Sequence, residues 1–166
     1  MKTNAMRILE QKKIPYQLYT YSNETALDGM SVAHILKKDE NTVFKTLVTI
    51  SKTNHYYVFM IPVCKTLDLK KAAFTVGEKS LNMLPSKELL PLTGYVHGGC
   101  SPIGMKKTFP TIIDQTVLNQ SEMLFSGGKI GYQLELKWED LKSVIPFNLA
   151  DVTVEELYEN QEKSDI

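Results

Sequence analysis

Cysteine, histidine and long apolar runs are all scarce in this sequence. Its 166 residues contain two cysteines, Cys64 and Cys100, which are too few for a disulfide framework. The three histidines, His34, His55 and His97, are scattered and share no spacing with the cysteines that is typical of metal ligands. No apolar stretch approaches the length that spans a bilayer. The sequence therefore predicts no disulfide-based fold, no metal or other cofactor, and no membrane segment.

An excess of charge of either sign is also missing. Nineteen Lys and Arg residues balance nineteen Asp and Glu residues, so the formal net charge is zero. Phosphate contacts dominate the affinity of proteins that hold nucleic acid unaided, and such proteins need a basic surface. We therefore do not expect this protein to bind nucleic acid by itself. Recognition of only the end of an RNA, while a partner protein holds the rest, is compatible with a net charge of zero.

Residues 1–7 lack the apolar core of a signal peptide, which favours a cytoplasmic protein. A chain of 166 residues usually forms one domain with a full core. We expect a single domain over residues 1–166, with an ordered core at residues 3–152. The acidic and polar segment from Glu155 onward is expected to fray.

Short helical and strand patterns alternate along the chain, which predicts a mixed α+β domain. Residues 42–50 and 56–63 have the pattern of two strands in a hairpin joined by a polar turn. Ser31 and Asp68 are the expected N-caps of two helices, the second ending near Ala73. Other helices are predicted from Thr3 or Asn4 to Lys12, between Pro85 and Gly94, and after Leu136, and other strands at residues 16–21, 95–97, 111–114, 123–126 and 132–136.

The loop at residues 98–107 is the most informative segment, because it holds three glycines, a proline and two lysines. Glycine lets main-chain N–H groups approach a ligand closely, since no Cβ is in the way. Pro102 stiffens the loop, and Lys106 and Lys107 add positive charge. This composition suits a rigid pocket edge that faces an oxygen-rich ligand. It equally suits an ordinary tight loop.

A second informative feature is a lysine in the middle of an apolar strand. In strand register Lys45 shares a face with Leu47, while Phe44 and Val48 belong to the opposite face. A lysine at a sheet edge can extend its ammonium group to water, which is one explanation. However, the next strand is apolar on both faces, so this hairpin is expected inside its sheet. An ammonium group there needs anionic or carbonyl partners.

Five separated segments resemble, in order and approximate spacing, those of the YbaK-type deacylases, which are similar to the editing domain of bacterial prolyl-tRNA synthetases. The segments are the lysine-bearing strand 43–48, the run 67–71, the Gly-x-x-Pro loop 99–102, the segment 110–114 and the glycine-rich turn 126–131. The resemblance covers residues 3–152. It implies the family's fold, a barrel-like, mostly antiparallel mixed sheet with helices packed around it.

The resemblance also implies a site. Lys45 is expected to hold backbone or terminal-adenosine oxygens of the substrate, and the N–H groups of the Gly99 loop are expected to face a developing oxyanion. A methyl group added at Gly99 would then intrude where the ligand approaches. The expected catalytic residues are Lys45 and Gly99, and the expected substrate-binding residues are Tyr21, Thr46, Cys100, Ser101, Pro102, Gly128, Lys129 and Gln133.

Two departures from the family pattern lie near this expected site. Gln133 stands where some relatives carry an aspartate, so a role for a carboxylate at that position does not transfer. Residues 24–29 also differ from the usual family pattern and border the expected pocket.

The chemistry that the resemblance implies is cleavage of the ester at the 3′ end of an aminoacyl-tRNA. Cys100 and Ser101 are poor candidates for a nucleophile because no histidine is placed as their base. A cysteinyl ester carries its own thiol, which can attack the ester carbonyl. The predicted function is therefore removal of cysteine mischarged onto tRNA(Pro), in trans, with the tRNA 3′ end and prolyl-tRNA synthetase as partners. An Ala-tRNA(Pro) deacylase and a non-catalytic binding module are the alternatives.

Overall fold

The computed structural model describes residues 1–22 and 27–155. Within them the chain forms eight strands, four α-helices and two 3-10 helices. The α-helices are α1 (Asn4–Gln11), α2 (Gly29–Ile35), α3 (Leu69–Val76) and α4 (Ser86–Thr93). The strands are β1 (Gln17–Thr20), β2 (Phe44–Ser51), β3 (Tyr56–Pro62), β4 (Leu81–Met83), β5 (Thr111–Asp114), β6 (Glu122–Ser126), β7 (Tyr132–Lys137) and β8 (Asn148–Ala150). The 3-10 helices are Gln115–Asn119 and Trp138–Ser143.

The described strands form two sheets. The larger has the order β4-β2-β3-β5-β8 and the smaller the order β1-β7-β6. Only the β3–β5 and β5–β8 pairs are parallel, so the prediction of a mostly antiparallel mixed sheet is confirmed. A single parallel bridge between Val43 and Leu124 joins the two sheets. The strands described here do not close into a barrel, so the expected barrel-like sheet is two joined sheets.

The largest apolar cluster lies between the smaller sheet, α1 and the second 3-10 helix. It contains fully buried Leu9, Phe125, Leu134 and Leu141. The predicted hairpin is confirmed, with Lys45 opposite Ile61 across β2 and β3. Because β2 has neighbours on both sides, the hairpin lies inside the larger sheet, as the apolar pattern of its second strand indicates. The described α-helices have eight residues or fewer, and none could cross a bilayer.

Three predicted elements need correction. The N-cap of α2 is Asp28, whose Oδ1 accepts the Ser31 N–H at 2.8 Å, so Ser31 lies inside the helix rather than at its cap. Residues 95–97 are not a strand, because the Tyr95 hydroxyl donates to the Ile103 carbonyl at 2.6 Å and the segment packs on its own loop. The expected terminal helix is a short 3-10 helix, and the three-residue strands β4 and β8 were not predicted.

The buried carboxylate of Asp114 joins β5 to the segment after β8. One oxygen accepts the Thr116 hydroxyl at 2.6 Å, and the other accepts the Val152 N–H at 3.1 Å. The residue is 1 % exposed, so water cannot replace these donors if the carboxylate is removed.

We therefore expect Asp114→Ala to lower the free energy of unfolding by about 3 kcal/mol, since buried hydrogen bonds to a charged group are lost. Urea unfolding followed by circular dichroism measures this. Asp151→Ala is the matched control. It removes an exposed carboxylate 3.0 Å from Lys71, and such pairs contribute less than about 1 kcal/mol. Equal effects of the two substitutions would contradict the structural role of Asp114.

Candidate active site

A cavity of about 620 Å³ opens between the two sheets. Its volume lies in the range of about 300–1,000 Å³ that small-molecule sites occupy. Six consecutive residues, 43–48, form one wall along the first half of β2. The start of α2, the end of β4, the loop before Cys100 and the facing ends of β6 and β7 form the others.

Five of the ten predicted site residues line this cavity. They are Tyr21, Lys45, Thr46, Cys100 and Gln133. The other five do not line it, although they belong to the two loops at its edge. They are Gly99, Ser101, Pro102, Gly128 and Lys129.

Lys45 brings a cation into a wall that is otherwise mainly apolar. Its side chain is partly buried, and no carboxylate of residues 1–22 or 27–155 lies within salt-bridge distance of its Nζ. Removal from water lowers the pKa of Lys45 below its usual value, and a weaker interaction with Cys64 opposes this shift. The protein therefore presents to the cavity an ammonium group that no described acid neutralises. An oxygen-rich ligand would supply the missing partners.

Two buried polar atoms of the cavity wall also lack partners. The Oγ1 atom of Thr46 and the Oε1 atom of Gln133 have no hydrogen-bond partner within the described chain. Buried polar groups in native proteins are nearly always paired, and sites where they are not call for an explanation. Because both side chains line the same cavity, a bound ligand is the natural source of their partners.

The Gly99 loop is built differently from the sequence expectation. The Gly99 N–H donates to the Val96 carbonyl at 2.9 Å and closes a turn, so it is already used. A Cβ at Gly99 would lie 2.9 Å from the Ile130 nitrogen and 3.1 Å from the Lys129 carbonyl carbon. The absence of a side chain therefore serves the close packing of two loops. A methyl group at Gly99 would therefore meet the main chain of Ile130 and Lys129, rather than the ligand as the sequence analysis expected.

Gly98, which sequence reasoning did not select, lines the cavity instead. Its φ of +85° is accessible to glycine and strained for other residues. The N–H groups of Gly98 and Cys100 have no acceptor within the described residues. Because both residues line the cavity, their N–H groups are the candidate donors for a ligand oxygen. The sequence did contain a signal for Gly98, because it is the first of two adjacent glycines in the glycine-rich loop.

The Cys100 side chain is a poor nucleophile in this position. It is 7 % exposed, and burial raises the pKa of its thiol to about 12. The thiolate, which is the reactive form, is therefore nearly absent at neutral pH. The Ser101 hydroxyl is fully buried and accepts the Ile103 N–H at 3.2 Å, and Pro102 borders a separate cavity of about 240 Å³.

The loop at residues 126–131 packs against the loop that contains Gly99. Gly128 has a φ of +96°, and a Cβ there would lie 2.9 Å from the Tyr95 ring. The Gly128 N–H donates to the Ser126 hydroxyl at 3.2 Å, and Ser126 itself lines the cavity. The Lys129 Nζ lies 5.2 Å from the centre of the Tyr132 ring. The structure thus gives Gly128 and Lys129 contacts within the protein.

Further residues that were not among the predicted site residues line the cavity. They include Asp28 and His97, which are both exposed, and Ser126. Asp28 and its neighbours belong to the segment that departs from the family pattern, of which residues 24–26 lie outside the described part of the chain. Across the described residues, no three His, Cys, Asp or Glu side chains are grouped as metal ligands.

The chain matches known proteins over most of its length. Residues 25–144 match the family model of the aminoacyl-tRNA editing domain. A protein of Enterococcus faecalis (strain ATCC 700802 / V583), provisionally named Cys-tRNA(Pro)/Cys-tRNA(Cys) deacylase EbsC, is 44% identical over 156 residues. The match covers 93% of this chain and 95% of that protein.

Two solved structures share the fold. One is described as a candidate trans-editing enzyme for prolyl-tRNA synthetase, with a TM-score of 0.78 and 23% identity over 93% of this chain and 99% of that chain. The other is the hypothetical protein APE2540, with a TM-score of 0.80 and 21% identity over 92% of this chain and 100% of that chain.

The contact at Gly99 leads to a test of how the loops pack. We expect Gly99→Ala to lower the free energy of unfolding by about 1–3 kcal/mol, because the new methyl group overlaps the main chain of Ile130. Amide resonances of residues 98–102 and 128–131 should shift together. Gly77→Ala is the control for the loop shifts, because its φ of +77° makes alanine strained and lowers stability, while its Cβ has no neighbour within 4 Å and should leave both loops unchanged. Shifts confined to residues 98–102 would contradict the packing.

Proposed function

Because this chain belongs to the aminoacyl-tRNA editing domain family, we propose that it is a trans-acting deacylase that removes cysteine from mischarged tRNA(Pro). The observation that carries the proposal is the unneutralised ammonium group of Lys45 in a cavity large enough for the end of an aminoacyl-tRNA. The 44% identity to the E. faecalis relative, over nearly the full length of both chains, supports cysteine as the amino acid.

The bond to be broken is the ester between the cysteinyl group and the terminal ribose. The thiol sulfur of the substrate attacks its own carbonyl carbon, and the carbon–oxygen bond to the ribose breaks. The thiol proton passes to the departing ribose oxygen, which leaves as a hydroxyl. Water then opens the resulting thiolactone to free cysteine. No oxidant, reductant or cofactor is needed for this balance.

The protein's part in this reaction is orientation and electrostatic support. Lys45 holds substrate oxygens by hydrogen bonds and charge. The free N–H groups of Gly98 and Cys100 are available to the carbonyl oxygen as it gains negative charge, and such donors lower barriers by about 3–4 kcal/mol each. Correct positioning of the substrate's own thiol adds a further large factor.

Recruitment of the tRNA is expected to need a partner. The net charge of zero gives the chain little basic surface for a whole tRNA. We propose that prolyl-tRNA synthetase holds the tRNA while this protein takes the 3′ end, in the cytoplasm where charging occurs. The shared fold with a candidate trans-editing enzyme for that synthetase supports this partner.

A cleavage assay separates the proposal from its alternatives. Cys-tRNA(Pro) and Ala-tRNA(Pro) should be incubated with the protein under the same conditions, and the remaining esters counted. The proposal expects faster loss of the cysteinyl ester. Faster loss of the alanyl ester identifies an alanine deacylase. No loss of either ester, with binding retained, identifies a non-catalytic module.

Lys45 provides a prediction that separates activity from stability. Lys45→Met should abolish most deacylation because the cation is lost. It should also raise the urea midpoint at pH 7. Burial lowers the pKa of Lys45 in the folded state, so the folded chain holds the proton less well than the unfolded chain, and the charge costs stability below that pKa.

Lys45→Arg should also be impaired, since a planar guanidinium does not replace a compact ammonium group. Lys52→Ala, at the exposed turn of the same hairpin, is the control and should leave activity unchanged. Near-normal turnover by a folded Lys45→Met protein would remove Lys45 from the site. A lowered midpoint would contradict the cost assigned to its burial.

Cys100 should be dispensable for chemistry. With a thiol pKa of about 12, this side chain is protonated at pH 7 and cannot attack the ester. We expect Cys100→Ala to cleave Cys-tRNA(Pro) close to the parent rate. Loss of activity in a folded variant, together with an acyl-enzyme in the intact mass of the parent, would show covalent catalysis instead.

A further inference from the structure

The side-chain oxygen of Gln133 is a buried acceptor that the fold does not use. Gln133 lies in β7, the central strand of the smaller sheet, and its main chain is paired with Tyr19 in β1 and Ser126 in β6. Because the main chain of Gln133 is paired on both sides, the position of its Cα atom is fixed. The residue is 7 % exposed, lines the cavity, and its Oε1 has no donor within the described chain. An acceptor buried in this way is adapted to a donor that arrives with the ligand.

The hydrogen-bonding capacities of the cavity wall restrict what that donor can be. Lys45 can only donate, so it takes an oxygen of the substrate. The Oε1 atom of Gln133 can only accept, so it needs an N–H or O–H group. The Thr46 and Ser126 hydroxyl groups also line the cavity, but a hydroxyl can donate as well as accept, and Asp28 is exposed with its Oδ1 capping α2. On the acyl side of a cysteinyl ester, the α-ammonium is the strong donor, since a thiol donates only weakly.

We propose that Gln133 Oε1 accepts a hydrogen bond from the α-ammonium of the aminoacyl group, so that a free α-amino group is required for recognition. This inference rests on the proposed function, because it takes an aminoacyl ester as the ligand. A neutral amide suits the position. It accepts from an ammonium group without adding a second charge to the wall that carries Lys45.

The consequence is a selectivity that amino-acid size alone would not give. Peptidyl-tRNA ends in the same ester, but its α-nitrogen is acylated and uncharged. An acceptor that demands an α-ammonium excludes such esters from the cavity. The site would then clear mischarged aminoacyl-tRNA and spare the growing peptide chain.

A binding experiment tests this separately from catalysis. The probes are the cysteinyl amide of 3′-amino-3′-deoxyadenosine, which cannot be hydrolysed at the ester position, and its des-amino counterpart, which lacks only the α-amino group. Isothermal titration calorimetry in reducing buffer should show that the parent protein binds the first probe at least about tenfold more tightly, as expected for a hydrogen bond to a charged group.

Variants of Gln133 test whether this residue causes the preference for the probe with a free α-amino group. Gln133→Leu should bring the two affinities to within about twofold, because the acceptor is removed. Gln133→Glu keeps an oxygen acceptor and should retain the preference for the free amine. Gln17→Leu, on exposed β1 of the same sheet, is the control and should behave as the parent.

The outcomes of the binding and cleavage experiments distinguish failure of this inference from failure of the proposed function. Equal binding of the two probes by the parent, or no binding of either, overturns the inference, and so does a preference that survives in folded Gln133→Leu. If the parent cleaves Cys-tRNA(Pro) but binds the probes equally, the proposed function stands and this inference fails. If it prefers the free amine but does not cleave the ester, the inference stands and the proposed catalysis fails.

Discussion

The burial of an ammonium group without an acid beside it is the constraint on which the site depends. Lys45 lies in β2 and is paired with Ile61 of β3, and β4 flanks β2 only further along, at residues 49–51, so the main chain at Lys45 is held from one side. Desolvation without a compensating carboxylate works against folding, as the lowered pKa shows. A protein tolerates such a cost where the group is needed for a ligand, which is why stability and function should separate at this position.

The loops at the cavity edge are held by packing between main chains. Gly99 is placed against Ile130 so closely that no side chain fits, and its N–H is used within its own turn. This arrangement leaves the N–H groups of Gly98 and Cys100 open to a ligand. Rigid placement of donors is what electrostatic catalysis requires, since donors that must reorganise during the reaction lose part of their effect. The glycines fix the loop, as the proposed chemistry requires.

The sequence predicts those features that depend on local pattern. The β2–β3 hairpin and the Asp68 cap of α3 follow from hydrophobic period, turn chemistry and capping, and the structure has both. The Ser31 cap was wrong because Asp28, three residues earlier, caps the helix and accepts the Ser31 N–H. The strand at residues 95–97 was wrong because its apolar residues pack on a loop, which periodicity cannot show.

Half of the predicted site residues line the cavity, and the geometry of the site was less predictable still. Motif order brought Lys45, Thr46 and Gln133 to attention, and all three line the cavity. Gly98 lines the cavity and Gly99 does not, and the Gly99 N–H is used in a turn with residue 96, which is a property of backbone conformation. The unpaired state of Thr46 and Gln133 is a property of three-dimensional packing, so it appears only in the structure.

The central claim is that the substrate's own thiol cleaves the ester, and one comparison tests it most directly. Cys-tRNA(Pro) and Ser-tRNA(Pro) differ by one atom, sulfur against oxygen, and have nearly the same shape. Their cleavage should be measured in single turnover with the parent protein. The account predicts that the cysteinyl ester is cleaved at least about tenfold faster, because a hydroxyl is a much weaker internal nucleophile. Equal rates for the two esters would show that water or a protein group attacks instead.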